Sequence, residues 1–245
     1  MVEWTRHDVL GVIVTAAAPR RPNPWAPGTF LGSLPTEVAL ALVADSVKRP
    51  FPAGRALLRE GDRDTHVVLL IRGFVKATTA VDGVETLLGI RIPGEVVGEI
   101  GALTGEPRTA TVTACGPVTA GQVNRGDFEA FLRRRQDASA LIAAAMARQL
   151  RWANRRRTDF AAFPAHIRLA RLLAEIADVC GRPRPDGGVE IAVPLSQPDL
   201  ASMIAIAQAT VQKALHELRD AGLIATGYRR LVITDLEKLR LAAEL

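Results

Sequence analysis

The stretch GEIGALTGEPRTATV at residues 98–112 frames a turn with glycines and adds the carboxylate of Glu99 and the guanidinium of Arg108. An arginine binds a phosphate through two parallel hydrogen bonds, and the free backbone N–H groups of a tight turn complete the shell of the anion. A carboxylate accepts a hydrogen bond from a sugar hydroxyl. This combination of residues therefore predicts a site for a phosphorylated ribose.

Short strands separated by turns surround this stretch between residues 31 and 132. Turn signals recur at residues 51–54, 60–62, 72–73, 81–83 and 92–94. Between them lie three strand-like runs, at residues 67–71, 74–78 and 85–90. This spacing predicts an antiparallel barrel or sandwich.

A long helix is predicted from residue 137 to about residue 160, because this segment is rich in alanine and has no glycine or proline. Five residues in it recur at alternating spacings of four and three: Ser139, Ala143, Met146, Leu150 and Ala153. The spacing is typical of a coiled-coil seam, and a helix packed only on its own barrel is the alternative. Pro164 disfavours continuation of this helix. We therefore place a hinge at residues 162–164 and a second helix at 165–179.

Residues 197–224, QPDLASMIAIAQATVQKALHELRDAGLI, contain two short amphipathic helices joined by a turn. The second helix ends at Gly222, which leads into a strand. Residues 231–233 supply a further strand, and residues 189–193 are predicted as a strand before the first helix. The arrangement resembles a winged helix-turn-helix, whose second helix enters the major groove of DNA.

Together, the turn at 98–112, the β-roll pattern of the preceding turns and the helix-turn-helix resemble the cyclic-AMP receptor protein/FNR superfamily of bacterial transcription regulators. The resemblance implies an α+β fold: an N-terminal antiparallel β-roll of the jelly-roll type, a long dimerisation helix and a C-terminal winged helix-turn-helix domain. We expect an N-terminal extension or linker at 1–28, a cyclic-nucleotide-binding β-roll at 29–132, the dimerisation helix at 133–162 and the DNA-binding domain at 163–245.

The resemblance also assigns a ligand site. Its residues are Gly98, Glu99, Ile100, Gly101, Ala102, Arg108, Thr109, Ala110 and Asn154. Glu99 is expected to accept the ribose 2′-hydroxyl, Arg108 to pair with the cyclic phosphate, and Asn154 to meet the purine. Thr109 donates its hydroxyl, and the other residues supply backbone groups. The resemblance makes cyclic AMP the expected ligand. Alanine at residue 153 replaces a hydroxyl-bearing residue of close relatives, which leaves Asn154 alone at the purine and cyclic GMP open.

DNA contacts are expected from the exposed side of the second helix of the motif. The side chains that would face DNA are Gln208, Thr210, Gln212 and Lys213. Glutamine reads adenine and lysine reaches guanine, so base recognition is preserved. This sequence departs from the family pattern, with Ala205 for the glycine of the turn, Ala207 for the helix cap and Gln208-Ala209 for Arg-Glu. We therefore expect an operator other than the commonest one of the family.

Charge is unevenly distributed along the 245 residues, whose net charge is +5. Residues 133–163 carry 8 basic and 2 acidic groups, whereas residues 164–245 carry 10 of each. The arginine runs at 133–135 and 155–157 fit a solvated helix face as well as a phosphate contact. The positive charge thus lies outside the expected DNA-binding domain, which predicts modest affinity for DNA.

Other chemistry finds little support in the sequence. The four histidines and two cysteines show no metal-ligand spacing, so no metal or iron–sulfur centre is expected. No nucleophile–base constellation or phosphate-binding loop of an enzyme is present, and we expect no catalytic residues. Cys115 and Cys180 are each isolated, which fits buried apolar positions in a reducing cytosol.

Residues 9–18, VLGVIVTAAA, imitate a short signal peptide, but Glu3 and Asp8 disrupt the basic region that export requires. We therefore expect a cytoplasmic homodimer with no cofactor and no membrane association. Its expected partners are a cyclic nucleotide, double-stranded DNA and, as a further candidate, RNA polymerase.

Two alternative functions stay open. One is a regulator of the same fold that senses cyclic GMP, a dinucleotide or no ligand. The other is a nucleotide-binding module that acts through protein partners and has a degraded helix-turn-helix.

Overall fold

Two four-stranded antiparallel sheets form the N-terminal β-roll of the computed structural model, which describes residues 22–227 and 230–245 and omits the side chain of residue 81. The strands are β1 (Val47–Phe51), β2 (Ala56–Leu58), β3 (Val67–Arg72), β4 (Val75–Val81), β5 (Val84–Arg91), β6 (Val96–Val97), β7 (Thr111–Ala114) and β8 (Val118–Val123). One sheet has the order β1-β8-β3-β6 and the other β2-β7-β4-β5. The predicted fold class, with strands over the three expected runs, is confirmed.

Strand β3 is apolar on both faces because it lies between two cores. Val68 and Leu70 point into the core between the sheets, whereas Val67 and Leu69 pack against the helical layer. Successive side chains of a strand point to opposite faces, so a continuous apolar run is what such a strand requires. The helical layer is thereby fixed to the outer face of one sheet.

Five helices accompany the roll: α1 (Phe30–Ser33), α2 (Thr36–Asp45), α3 (Glu99–Thr104), α4 (Arg125–Arg134) and α5 (Gln136–Ala162). The expectation of strands from residue 31 onward is wrong for residues 31–45. Here Pro35 occupies the N-cap position of α2, and alanine and leucine favour a helix in the residues that follow. The expected boundary after residue 132 falls inside α4. Helix α5 begins one residue before the predicted helix and ends two residues after it.

The prediction of a linker at residues 1–28 is wrong for residues 22–28, the part of this segment that the structure describes. Trp25 is 6% exposed and lies in the same core cluster as Phe30 of α1. Its indole Nε1 donates to the carbonyl of Ile71 at 3.2 Å, and Asn23 donates to the carbonyl of Leu31 at 2.8 Å. A buried tryptophan anchors the chain here despite the surrounding prolines. The signal-like segment at 9–18 lies outside the described residues.

The C-terminal domain begins after a break in the helix at Phe163, which is extended before Pro164. Its elements are α6 (Ala165–Cys180), β9 (Gly181–Pro183), β10 (Val189–Ile191), α7 (Gln197–Met203), α8 (Gln208–Asp220), β11 (Ile224–Gly227), β12 (Arg230–Ile233) and α9 (Leu236–Ala242). The sheet has the order β11-β12-β10-β9. Strand β10 ends two residues before the predicted end, shortly before Pro194.

Arginine side chains join α5 to α6 across this break. The guanidinium of Arg171 lies 4.6 Å from the ring centre of Phe163, and its Nε lies 3.2 Å from the carboxylate of Asp159. Arg156 donates to the carboxylate of Glu175 at 2.6 Å. These buried charges and rings fix the direction in which the C-terminal domain leaves the long helix.

The two domains also touch at the β4–β5 hairpin. Leu87 of β5 is 3% exposed and belongs to the same apolar cluster as Met203 of α7. Its backbone N–H donates to the hydroxyl of Ser202 at 3.1 Å. The first helix of the helix-turn-helix, α7, therefore rests on the β-roll, which is the expected sensor domain.

Candidate ligand site and DNA interface

The glycine-framed turn begins at Gly98, which is the N-cap of α3 and has a φ of 83°. A Cβ at this residue would lie 2.7 Å from Nη1 of Arg108 and 2.9 Å from a methyl group of Leu58. Both the left-handed backbone and the lack of space therefore require glycine. Because residue 98 is glycine, the backbone at the start of α3 can pack against the guanidinium of Arg108.

Arg108 is buried, with a side chain 2% exposed, and three protein groups hold its guanidinium. Nε donates to the carboxylate of Asp64 at 2.7 Å, Nη1 donates to the carbonyl of Gly98 at 2.7 Å, and Nη2 donates to the carbonyl of His66. A guanidinium has five N–H groups, so two remain for a ligand. The arginine is thus positioned before any ligand arrives.

The backbone of Arg108 is held as firmly as its side chain. Its N–H donates to the carbonyl of Asp62 at 2.8 Å, and its carbonyl accepts from the N–H of Gly61 at 2.9 Å. The turn at residues 60–62, one of the turns that carry the family resemblance, therefore supports the turn that is predicted to bind a phosphate.

Sequence reasoning missed Asp64 and His66. The carboxylate of Asp64 bridges Arg108 to Nδ1 of His66, at 3.2 Å from the latter. Burial, the largest cause, lowers the pKa of His66, and Arg108 acts in the same direction while Asp64 opposes both. The only sequence signal for this group was its closeness to the turn at 60–62.

Glu99 lies in the first turn of α3 and is 7% exposed. Burial raises the pKa of this carboxyl above its ordinary value, and the positive charges of Arg91 and Arg108 partly oppose that rise. With Gln149 of α5 it lines a cavity of about 10 Å³, which is space for about one water molecule. Helix α5 therefore covers the carboxylate that was predicted to meet a ribose.

The remaining predicted ligand residues occupy different environments. Ile100 and Gly101 lie in the first turn of α3, where backbone N–H groups have no partner within the helix. The N–H of Ala102 already donates to the carbonyl of Gly98 at 3.1 Å, so its expected role toward a phosphate is not available in this conformation.

Three further predicted ligand residues lie outside α3. Thr109 is exposed beside the arginine and Ala110 is half-buried. Asn154 is exposed on α5, so its meeting with a purine stays a prediction.

The expected DNA-contacting residues share one exposed surface of α8. They are Gln208, Thr210, Gln212 and Lys213. The opposite side of α8 is buried, with Val211, Leu215 and Leu218 in the core of the domain. The amphipathic pattern predicted from the sequence is thus observed, and the polar face is free to meet a partner.

The two departures in the turn of this motif have visible structural effects. Ala205 has a φ of 51°, in the left-handed region that glycine adopts without strain. Ala207 is the N-cap of α8 and offers no side-chain hydrogen bond. By contrast α7 has a complete capping box between Ser196 and Asp199. Helix α8 therefore depends on packing for the order of its first turn.

Comparison with known proteins gives two family matches in the expected order. The cyclic nucleotide-binding domain family matches residues 48–135, and the Crp-like helix-turn-helix domain family matches residues 167–242. The transcriptional regulator LdrP from one strain of Thermus thermophilus is 30% identical over 192 residues, which is 77% of this chain and 93% of that protein. The chain belongs to the cyclic-AMP receptor protein/FNR superfamily.

Other members of the superfamily cover nearly the same length. The CRP-like cAMP-activated global transcriptional regulator of Mycobacterium tuberculosis is 29% identical over 213 residues, 86% of this chain and 94% of that protein. The crystal structure of a CRP-family transcriptional regulator from Thermus thermophilus has a TM-score of 0.66 and 26% identity, with 80% of this chain and 97% of that one covered.

The chain is therefore a CRP-like transcription regulator with a cyclic nucleotide-binding domain and a helix-turn-helix domain. Its superfamily consists of transcription regulators and not of enzymes. None of the helices in the described part of the chain is long and apolar enough to cross a membrane.

Proposed function

We propose that this regulator is a cytoplasmic homodimer that binds cyclic AMP at Arg108 and Glu99 and then binds an operator through α8. The observation that carries the proposal is the guanidinium of Arg108. It is buried against the start of α3, is held in place by Asp64, and has N–H groups left over for a phosphate. A pre-positioned, desolvated arginine next to free helical N–H groups suits a cyclic phosphate.

Helix α5 is the element that would transmit binding. Glu99 lies beneath this helix in a cavity of about 10 Å³. A ribose that reaches the carboxylate has to displace the side chains of α5 from it. A ligand shifts an equilibrium only by binding one arrangement better than the other. We infer that ligand binding favours a displaced α5 and, through the arginine contacts with α6, a different placement of the DNA-binding domains.

Cyclic GMP is the second ligand to consider. Residue 153 is an alanine and leaves Asn154 as the only polar side chain at the expected purine position. Thr109 is exposed and offers a hydroxyl to either purine. We therefore expect cyclic AMP to bind more tightly and cyclic GMP to compete measurably.

Titration calorimetry with the two nucleotides tests the ligand. Arg108→Ala leaves a phosphate unpaired in a desolvated site and should weaken cyclic AMP binding by about 2–5 kcal/mol. Because Arg108 also bonds to Asp64 and Gly98, Arg108→Lys and a thermal melt of each variant separate lost recognition from lost folding. Arg55→Ala, at an exposed arginine of the same domain, is the matched control. Unchanged affinity in a folded Arg108→Lys variant would contradict the site.

A protein-partner function is the alternative from another class. It is favoured by the balanced charge of residues 164–245 and by the strained turn at Ala205. Selection from random DNA duplexes, with cyclic AMP present, distinguishes the two functions. Enrichment of a palindrome supports an operator-binding regulator, and no enrichment together with no salt-dependent binding supports the alternative.

A further inference from the structure

We propose that a cleft between the β-roll and the DNA-binding domain is a second ligand site, for a small amphipathic anion with an apolar body and a carboxylate or phosphate head. The cleft has a volume of about 990 Å³, which lies at the upper end of the range for small-molecule sites. It shares no lining residue with the cavity at Glu99. The inference is therefore independent of the proposed nucleotide site.

Apolar side chains from separate elements form the walls of this cleft. Leu40 and Val43 come from α2, Ile71 from β3 and Phe74 from the turn that follows it, and Trp25 lies beside them. Leu40 is 40% exposed and is one of the largest apolar side chains left open to solvent in the sensor domain. Trp25 and Val43 are already buried at 6% and 7% exposure, whereas Leu40, Ile71 and Phe74 keep part of their surface open to solvent. An aliphatic or aromatic body that covers these three side chains gains the free energy of apolar burial.

The charged residues of the cleft are all basic. Lys48, Arg72 and Arg182 line it and are exposed, and no aspartate or glutamate is among the lining residues that the structure describes. None of the three has an ion pair or a side-chain hydrogen bond within residues 22–227 and 230–245. An arginine or lysine in this setting complements a carboxylate or phosphate head, and the absence of acidic groups disfavours a cation.

Hydrogen bonds and close packing fix the sensor-domain part of the cleft. The N–H of Cys115 donates to the carbonyl of Phe74 at 2.9 Å. Gly73 has a φ of +84°, and a Cβ there would lie 2.4 Å from the carbonyl oxygen of Pro117. The indole of Trp25 is held on the carbonyl of Ile71. A ligand would meet a preformed wall and would not have to order it.

The cleft spans both domains, and this gives the site a regulatory consequence. Arg72 belongs to β3 of the sensor domain, whereas Arg182 belongs to β9 of the DNA-binding domain. An anion that contacts both arginines favours the arrangement in which they face the same cleft. Occupancy would therefore stabilise the present placement of the two domains.

Calorimetric titration of the full chain with decanoate and with decyl phosphate tests the site, with uncharged decanol as the matched probe. We expect both anions to bind and decanol to bind about tenfold more weakly or not at all. Stronger binding of one anion identifies the preferred head group. The double variant Arg72→Glu/Arg182→Glu should lose about tenfold or more in affinity for the anions. The control Arg55→Glu/Arg134→Glu makes the same change of charge at exposed arginines outside the cleft and should change affinity little.

Three results would overturn the inference. The first is equal binding of decanol and decanoate, and the second is an equal loss of affinity in the control and test variants. The third is that cyclic AMP displaces decanoate because both bind at the nucleotide site. In that case the Arg108→Lys variant would also lose decanoate binding. A failure of cyclic AMP to bind at all would leave the result for decanoate intact and would count only against the proposed function.

Discussion

The ammonium group of Lys76 in β4 donates a hydrogen bond to the carboxylate of Asp199 in α7, and this same carboxylate closes the capping box of α7. The two side chains are 19% and 14% exposed, so the pair is largely shielded from solvent. Asp199 also accepts from the backbone N–H of Ser196 at 2.7 Å. One carboxylate thus joins the sensor domain to the start of the helix-turn-helix.

Replacement of Lys76 by methionine should loosen this contact. The carboxylate of Asp199 would keep its capping bonds but lose its cation in a shielded position, a loss of about 1–3 kcal/mol. Amide hydrogen exchange should accelerate in β4, β5 and α7 together. Lys238→Met is the matched control, because Lys238 pairs with the N-cap Asp235 of α9 but is 72% exposed. Equal stability changes in the two variants would show that shielding the Lys76–Asp199 pair from solvent adds nothing to the stability of the protein.

The same pair predicts a response to acid. Burial would raise the pKa of Asp199, but the hydrogen bonds from Lys76 and Ser196 outweigh it and the pKa lies below its ordinary value. A depressed pKa adds stability above the ordinary value of 3.8, and this stability is lost as the pH falls through the lowered pKa. The loss of folding stability caused by Lys76→Met, relative to the unsubstituted chain, should therefore be smallest at the lowest pH.

Glu99→Gln should stabilise the protein in neutral and alkaline solution. Burial raises the pKa of Glu99, so the folded protein holds this proton more tightly than the unfolded chain. Stability is then greatest below the ordinary pKa of 4.5 and falls as the pH rises through the raised pKa. Thermal melts at about pH 4 and about pH 8 should show a gain for Glu99→Gln that is larger at the higher pH. Glu106→Gln, at an exposed residue of the same turn, is the comparison, and a pH-independent gain at Glu99 would contradict the argument.

Leu150→Glu should split the proposed dimer. Leu150 lies on the predicted seam of α5 and is 62% exposed in a single chain, so a partner helix is expected to cover it. A charge placed there would be buried against the partner, at a high cost in free energy. Leu241→Glu is the control, because Leu241 is 75% exposed on α9 and lies outside the seam. Light scattering at micromolar concentration should give a monomer for Leu150→Glu only.

Lys213→Ala should weaken binding to the selected operator and change the base preference at one position. The side chain of Lys213 is 79% exposed on the polar face of α8, where it can reach a base edge. Loss of a base contact costs about 1–3 kcal/mol at that position. Lys238→Ala removes an exposed lysine from α9 and should leave the preference unchanged. A uniform loss of affinity on all sequences would instead assign Lys213 to a phosphate.

Ala207→Ser should stabilise the DNA-binding domain by about 1 kcal/mol, because it supplies the missing N-cap of α8. Ala205→Gly should relieve the left-handed strain at φ 51°, which costs about 1–2 kcal/mol for a residue with a Cβ. Chemical denaturation of each variant measures both effects. Ala209→Ser, one position inside the helix from Gln208, is the control and should bring no such gain.

Regular elements with strong local patterns could be predicted from the sequence. The long helix α5 and the strands β3 to β5 were evident because their periodicity and turns are local properties of the chain. The glycine-framed turn at 98–101 could be predicted because the glycines, Glu99 and Arg108 stand close together in the sequence, and the left-handed φ of Gly98 agrees with it. Its binding of a phosphate stays a prediction. The surroundings of Arg108 were not evident, since Asp64 and His66 reach it through tertiary contacts 44 and 42 residues apart. The burial of Trp25 and the pairing of Lys76 with Asp199 were hidden for the same reason.

If a nucleotide binds at Glu99 as proposed, the cover that α5 places over this carboxylate would limit how fast it binds. A ligand that needs this carboxylate has to wait for the helix to move, and no increase in its concentration shortens that wait. The observed association rate should then rise with concentration and level off at the opening rate of the helix. In a cell, such a regulator would respond to the level of its ligand averaged over many opening events, and brief fluctuations in that level would pass unrecorded.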